Sequence, residues 1–130
     1  MNAACKFKIL IVDDSEALAQ TLGYMVEILG HTIKLAHDGA TALSVAQSFL
    51  PDVIFLDISL PEMDGYEVCK KLRAIPALTE CVFIAQTGWG QAEYKIRSME
   101  AGFDHHVVKP ISFEAMEKLL LSLRETVDAA

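Results

Sequence analysis

Val53-Ile54-Phe55-Leu56-Asp57 is a run of four apolar residues closed by a carboxylate. A strand with one face in water would alternate; a run that is apolar at every position belongs to a strand buried on both faces. Two segments of the same kind flank it. Ile9-Leu10-Ile11-Val12 precedes it and stops at Asp13-Asp14, and Cys81-Val82-Phe83-Ile84-Ala85 follows and ends near Thr87. Two shorter strands are read at Thr32-Ile33-Lys34-Leu35 and His106-Val107-Val108, the second ending on Lys109-Pro110.

Between the strands the apolar residues change to helical spacing. Ser15 offers an N-cap, and Leu18, Leu22, Met25 and Leu29 follow until Gly30. Leu43, Ala46 and Leu50 place a second helix before Pro51, and Val68, Leu72 and Ile75 a third before Pro76. Ala92, Ile96 and Met99 mark a fourth, closed by Gly102, and Phe113, Met116, Leu120 and Leu123 a fifth. Five strands alternating with five helices predict an α/β fold, a doubly wound parallel sheet with helices on both faces. Right-handed crossovers leave few topologies, and the flavodoxin-like order 2-1-3-4-5 is the expectation. The length of 130 residues suits one domain over residues 1–130, with its core at about 7–125.

Composition narrows the function classes. With 52% hydrophobic and 22% charged residues the chain can build a core. A net charge of −7 argues against binding nucleic acid by phosphate neutralisation. No apolar run approaches the roughly 18–20 residues of a membrane span, and the N-terminus lacks the apolar stretch of a signal peptide. Cys5, Cys69 and Cys81 are odd in number and irregularly spaced, which suggests neither a disulfide framework nor a zinc site. The expectation is a cytoplasmic protein without membrane contact, monomeric or weakly dimeric.

Chemistry in such a sheet belongs just past the carboxyl ends of the strands, at the switch in strand order. Those positions hold Asp13 and Asp14, Asp57, Thr87 and Lys109. The first and third strands are neighbours in the expected order, so three carboxylates converge. Like charges so close repel unless a cation lies among them, and an all-oxygen donor set selects a hard ion such as Mg²⁺. A carboxylate beside Mg²⁺, an ammonium and a hydroxyl suits phosphoryl transfer, with Asp57 as nucleophile because it stands alone on the central strand.

These motifs resemble the response-regulator receiver domain. The resemblance rests on Asp13-Asp14, on Val53-Ile-Phe-Leu-Asp57-Ile-Ser-Leu-Pro61-Glu-Met-Asp-Gly65, on Thr87-Gly88 and on Val107-Val-Lys109-Pro110. It implies a regulatory phosphoacceptor of a two-component phosphorelay rather than a turnover enzyme. Asp57 would take a phosphoryl group from a histidine kinase or a histidine phosphotransfer protein. Asp13, Asp14, Asp57 and the Ser59 carbonyl would hold Mg²⁺, while Thr87 and Lys109 would contact the phosphoryl oxygens. The Lys109–Pro110 bond would be cis. Partner binding would change through the face built by the fourth helix, fifth strand and fifth helix. Ser59 and Trp89 would rim the approach of water and tune the lifetime of the modification. His106 departs from the Tyr or Phe that receivers usually carry at the switch position, imidazole being a smaller and more polar ring.

Two further readings complete the expectations. The Thr87-Gly88-Trp89-Gly90 loop and the Ala101-Gly-Phe-Asp-His-His106 stretch resemble receivers of hybrid histidine kinases, so a stand-alone protein and a piece of a larger chain are both open. A phosphatase of the haloacid dehalogenase type would need Asp-x-Asp after the first strand, where this chain has Asp14-Ser15-Glu16. Leu119-Leu120-Leu121 is wider than one packing stripe needs and is a candidate partner surface.

Overall fold

The structure is a computed structural model that describes residues 6–58, 60, 65–87, 102–109 and 111–129, with side chains as far as Leu123. Five parallel strands form one sheet: β1 (Lys8–Val12), β2 (Thr32–Ala36), β3 (Val53–Asp57), β4 (Val82–Thr87) and β5 (His105–Val108). Their order is β2-β1-β3-β4-β5, as expected. The described helices are α1 (Glu16–Ile28), α2 (Gly39–Phe49), α3 (Gly65–Arg73) and the C-terminal α4 (Phe113–Ala129), with a 3₁₀ turn at Pro76–Leu78. α4 is the fifth helix of the sequence reading; the fourth, with Ala92, Ile96 and Met99, lies outside the described residues.

β3 is buried at all five positions, which is why its sequence does not alternate. Adjacent side chains leave opposite faces of the sheet, so the core is two layers. Leu10, Val12, Ile54, Leu56, Phe83 and Ala85 pack toward α2 and α3, against Ala46, Val68 and Leu72. Ile9, Ile11, Val53, Phe55 and Ile84 pack on the other side, against Ala19, Leu22, Val26 and Met116. Each large side chain so buried contributes about 1.5–3 kcal/mol. β2, at the sheet edge, does alternate, with Thr32 and Lys34 exposed.

Ser15 caps α1 as expected, its hydroxyl accepting from the Leu18 amide at 3.3 Å, and Asp38 caps α2 through the Thr41 amide at 2.7 Å. Gly30 follows α1 at φ +98°, a conformation that suits a residue without Cβ. The buried stripe of α1 is shifted by one position from the reading. Ala19, Leu22, Gly23 and Val26 face the sheet, and Leu18 is 41% exposed. Small residues let the helix approach closely, and spacing judged on large apolar residues overlooks them.

Arg73, at the end of α3, ties down the segment that leads into β5. Its guanidinium donates to the Gly102 carbonyl at 2.8 and 2.9 Å and to the Cys81 carbonyl at 2.9 Å, pairs with Asp104, and lies 4.2 Å from the Phe83 ring centroid. Asp104 in turn accepts from the Phe83 amide at 2.9 Å. Cys69 and Cys81 are core thiols, each pushed up to about 12 by burial and therefore unreactive.

Candidate functional site

The sheet brings the residues past β1, β3 and β5 to one place. Asp13 follows Ile9 and Ile11, Asp57 follows Val53 and Phe55, and Lys109 follows Val107, so all three continue the face packed toward α1 and α4. Asp13 and Asp57 are buried, whereas Asp14 is exposed. Ligand oxygens of the three aspartates lie within 4.8 Å of one another. The Lys109 ammonium is 2.9 Å from Asp57 Oδ2 and 3.1 Å from Asp13 Oδ2.

Backbone geometry holds each group in place. The Ser15 amide donates to Asp13 Oδ1 at 2.9 Å, and the Lys109 amide donates to the Thr87 carbonyl at 2.7 Å. The peptide after Asp57 is clamped by its neighbours, with the Ile58 amide donating to the Gln86 carbonyl at 3.2 Å and the Gly65 amide to the Ile58 carbonyl at 3.2 Å. Burial raises the Asp13 carboxyl above the ordinary carboxylate range; the Ser15 amide and Lys109 oppose that rise, and the charge of Asp57 adds to it. Burial depresses Lys109, but its hydrogen bonds and charge contacts with Asp57 and Asp13 outweigh this and leave it raised, hence firmly protonated.

Three carboxylates against one ammonium leave two negative charges in a small volume. Their donors are all oxygen. The set fits a hard divalent ion, with Asp13, Asp14 and Asp57 as its protein ligands. Mg²⁺ at ten times its Kd is therefore expected to add about 1.4 kcal/mol of stability, seen as a rise in Tm of several degrees. At matched ionic strength, Asp14→Asn should lose most of that rise; an equal rise in both proteins would remove Asp14 from the ligand set.

Thr87 ends β4, opposite Val108, and is fully buried. His106 is half-buried on β5 opposite Ala85, and its neighbour His105 is exposed, so the two point apart as alternation requires. Ser59, Trp89 and Pro110 lie outside the described residues. Two contributors escaped the sequence reading. His37, after β2, has its Nδ1–H 3.1 Å from the Asp13 carbonyl and its Nε2 3.9 Å from Glu16 Oε1. Gly65 entered the reading only as the last residue of the motif that follows Asp57, yet it sets how closely α3 approaches Asp57.

A family model, the response regulator receiver domain, matches residues 9–121. The chain belongs to the response-regulator receiver family. As a receiver domain it has the regulatory role of that family in two-component signalling, in which phosphorylation of an aspartate with Mg²⁺ is the general function. It is similar to the chemotaxis protein CheY4 of Vibrio cholerae, at 30% identity and a TM-score of 0.86 over 91% of this chain and 98% of that one. It also resembles the receiver domain of a signal transduction histidine kinase from Syntrophus aciditrophicus, at 30% identity and a TM-score of 0.83 over 95% and 94%. Among curated proteins, the response regulator MprA of Mycobacterium ulcerans is 34% identical over 90% of this chain. The receiver spans about half the length of the curated relatives it matches, 48% in that case. Among the described residues no helix is long and apolar enough to cross a membrane.

Proposed function

We propose that Asp57 is the phosphoacceptor, taking its phosphoryl group from the phosphohistidine of a histidine kinase or a histidine phosphotransfer protein. An Asp57 oxygen forms the new bond to phosphorus as the phosphorus–nitrogen bond breaks, and the departing imidazole takes up a proton. The observation that carries this reading is the 2.9 Å contact between Lys109 and Asp57 Oδ2, on the last residue of the central buried strand. That ammonium stands where charge on the incoming phosphoryl oxygens must be met. Asp13, Asp14, Asp57 and the Ser59 carbonyl would hold Mg²⁺, which would supply further neutralisation there. Thr87 donates its hydroxyl to a phosphoryl oxygen, Ser59 and Trp89 set the access of water, and His106 takes the switch position.

Modification shifts partner binding through the face formed by residues 92–99, β5 and α4. The domain works in the cytoplasm and catalyses only its own phosphorylation and dephosphorylation. Acetyl phosphate with Mg²⁺ is expected to add one phosphoryl group by intact mass, and Asp57→Asn to add none. Full modification of Asp57→Asn would place the acceptor elsewhere.

A further inference from the structure

The amide of Gln86 is the least satisfied polar group in the described core. Its side chain is 1% exposed, and neither Nε2 nor Oε1 has a hydrogen-bond partner among the described residues. Buried amides are normally paired, so such a group calls for an occupant or a cost. Gln86 pairs in register with Asp57 on one side and Val107 on the other. By alternation from Val82 and Ile84, its side chain leaves the sheet on the face covered by α1.

A cavity of about 80 Å³ lies there, between α1 and the end of β5. Leu18, Leu22, Met25, Val107 and Ile111 make its wall mostly apolar, and Gln86 lines it. The charged residues on the same wall are Asp13 and Lys109, already paired with one another at 3.1 Å. We propose that this cavity binds a small neutral molecule with an apolar tail and a primary amide head, which pairs with the Gln86 carboxamide.

Three features select that chemistry. Two orphan atoms, one donor and one acceptor on the same carboxamide, are both satisfied by a group that presents an acceptor and a donor side by side. A charged head would compete with the Asp13–Lys109 pair and would lose its hydration in an apolar wall. The volume is too small for a benzene-sized ring, which occupies a cavity of about 150 Å³, so only the head enters fully. The tail then leaves past the half-exposed Leu18. The Gln86 amide is sealed in the unliganded protein, so pairing with the head requires a turn about its soft terminal torsion.

Butyramide is the probe, and 2-pentanone, the same shape without the N–H, is its control. In ¹⁵N-labelled protein, butyramide should produce saturable shifts at the Gln86 side-chain amide, Leu22 and Val107, with 2-pentanone about tenfold weaker. Gln86→Met, which keeps the volume and removes the amide, should bind butyramide about tenfold more weakly. Equal binding of the two compounds, or of butyramide to wild type and Gln86→Met, overturns the proposal. Shifts that never saturate mean that solvent alone fills the cavity, and overturn it too. Binding is read directly in unphosphorylated protein, so the outcome is independent of whether Asp57 is the phosphoacceptor.

Discussion

Gly65→Ala is expected to destabilise the domain by about 2–3 kcal/mol and to slow phosphorylation by about a hundredfold. A Cβ at that position would lie 2.5 Å from the Asp57 carbonyl oxygen and 2.5 Å from the Ile58 Cα. Both are backbone atoms of the peptide that carries the proposed phosphoacceptor, so no flexible side chain can yield. Either α3 lifts off the sheet or the end of β3 shifts, and the Gly65–Ile58 hydrogen bond at 3.2 Å weakens in both cases. Lys109 then no longer meets Asp57 at its present distance. Thermal denaturation should show a fall in Tm on the order of 10 °C. Gly30→Ala separates this effect from simple backbone strain. Gly30 has positive φ but nothing within 4 Å of its added Cβ. It should cost about 1 kcal/mol and leave the phosphorylation rate unchanged. A Gly65→Ala protein with wild-type stability and rate would show that the close approach does not position Asp57.

Lys109→Met carries the second large effect. The ammonium is the bridge between Asp57 and Asp13, and its removal takes from two buried carboxylates and Asp14 the counter-charge that Lys109 gives them. Breaking a fully buried pair from one side costs about 3–5 kcal/mol; the Lys109 side chain is 23% exposed, which reduces this to about 2–3 kcal/mol at neutral pH. The pH dependence has a definite sign. Burial already raises the Asp13 carboxyl, and removing Lys109 takes away contacts that oppose that rise, so the penalty eases as pH falls and Asp13 protonates. Its deficit against wild type should therefore narrow between neutral and acidic pH. In the wild type, the raised Lys109 contributes fully below its ordinary value of 10.5, and that contribution is lost as pH rises through its higher folded value. Mg²⁺ should stabilise the variant more than the wild type, because the ion replaces the missing positive charge. Chemical denaturation across pH, with and without Mg²⁺, measures all three; a deficit that stays constant with pH would mean that Lys109 acts through packing alone.

The strands and their order were legible because burial on both faces writes itself as uninterrupted apolar runs, clearest in β1 and β3. The convergence of Asp13, Asp14, Asp57 and Lys109 was legible for a related reason: strand ends are where the apolar run breaks, and the break names the residue. What escaped notice depends on backbone approach or on long-range contacts. Gly65 looks like any turn glycine until α3 is seen against β3. The ties made by Arg73 reach residues 8 and 29 positions away, and no local pattern announces them. Leu18 fits a helical spacing yet stands at the rim of a cavity, and Gln86 follows the apolar run of β4, one residue before its end, without any motif to mark it.

The sheet is also a partition. Asp57 belongs by alternation to the layer shared with α1 and α4, and Thr87 to the layer shared with α2 and α3. Across most of its width the sheet insulates one compartment from the other, since no described side chain passes through it. At its carboxyl edge side chains from both sides come to one rim. A charged group attached there is a message delivered to two rooms at once. The two halves of the core would acquire a common reference point whose presence or absence both can register.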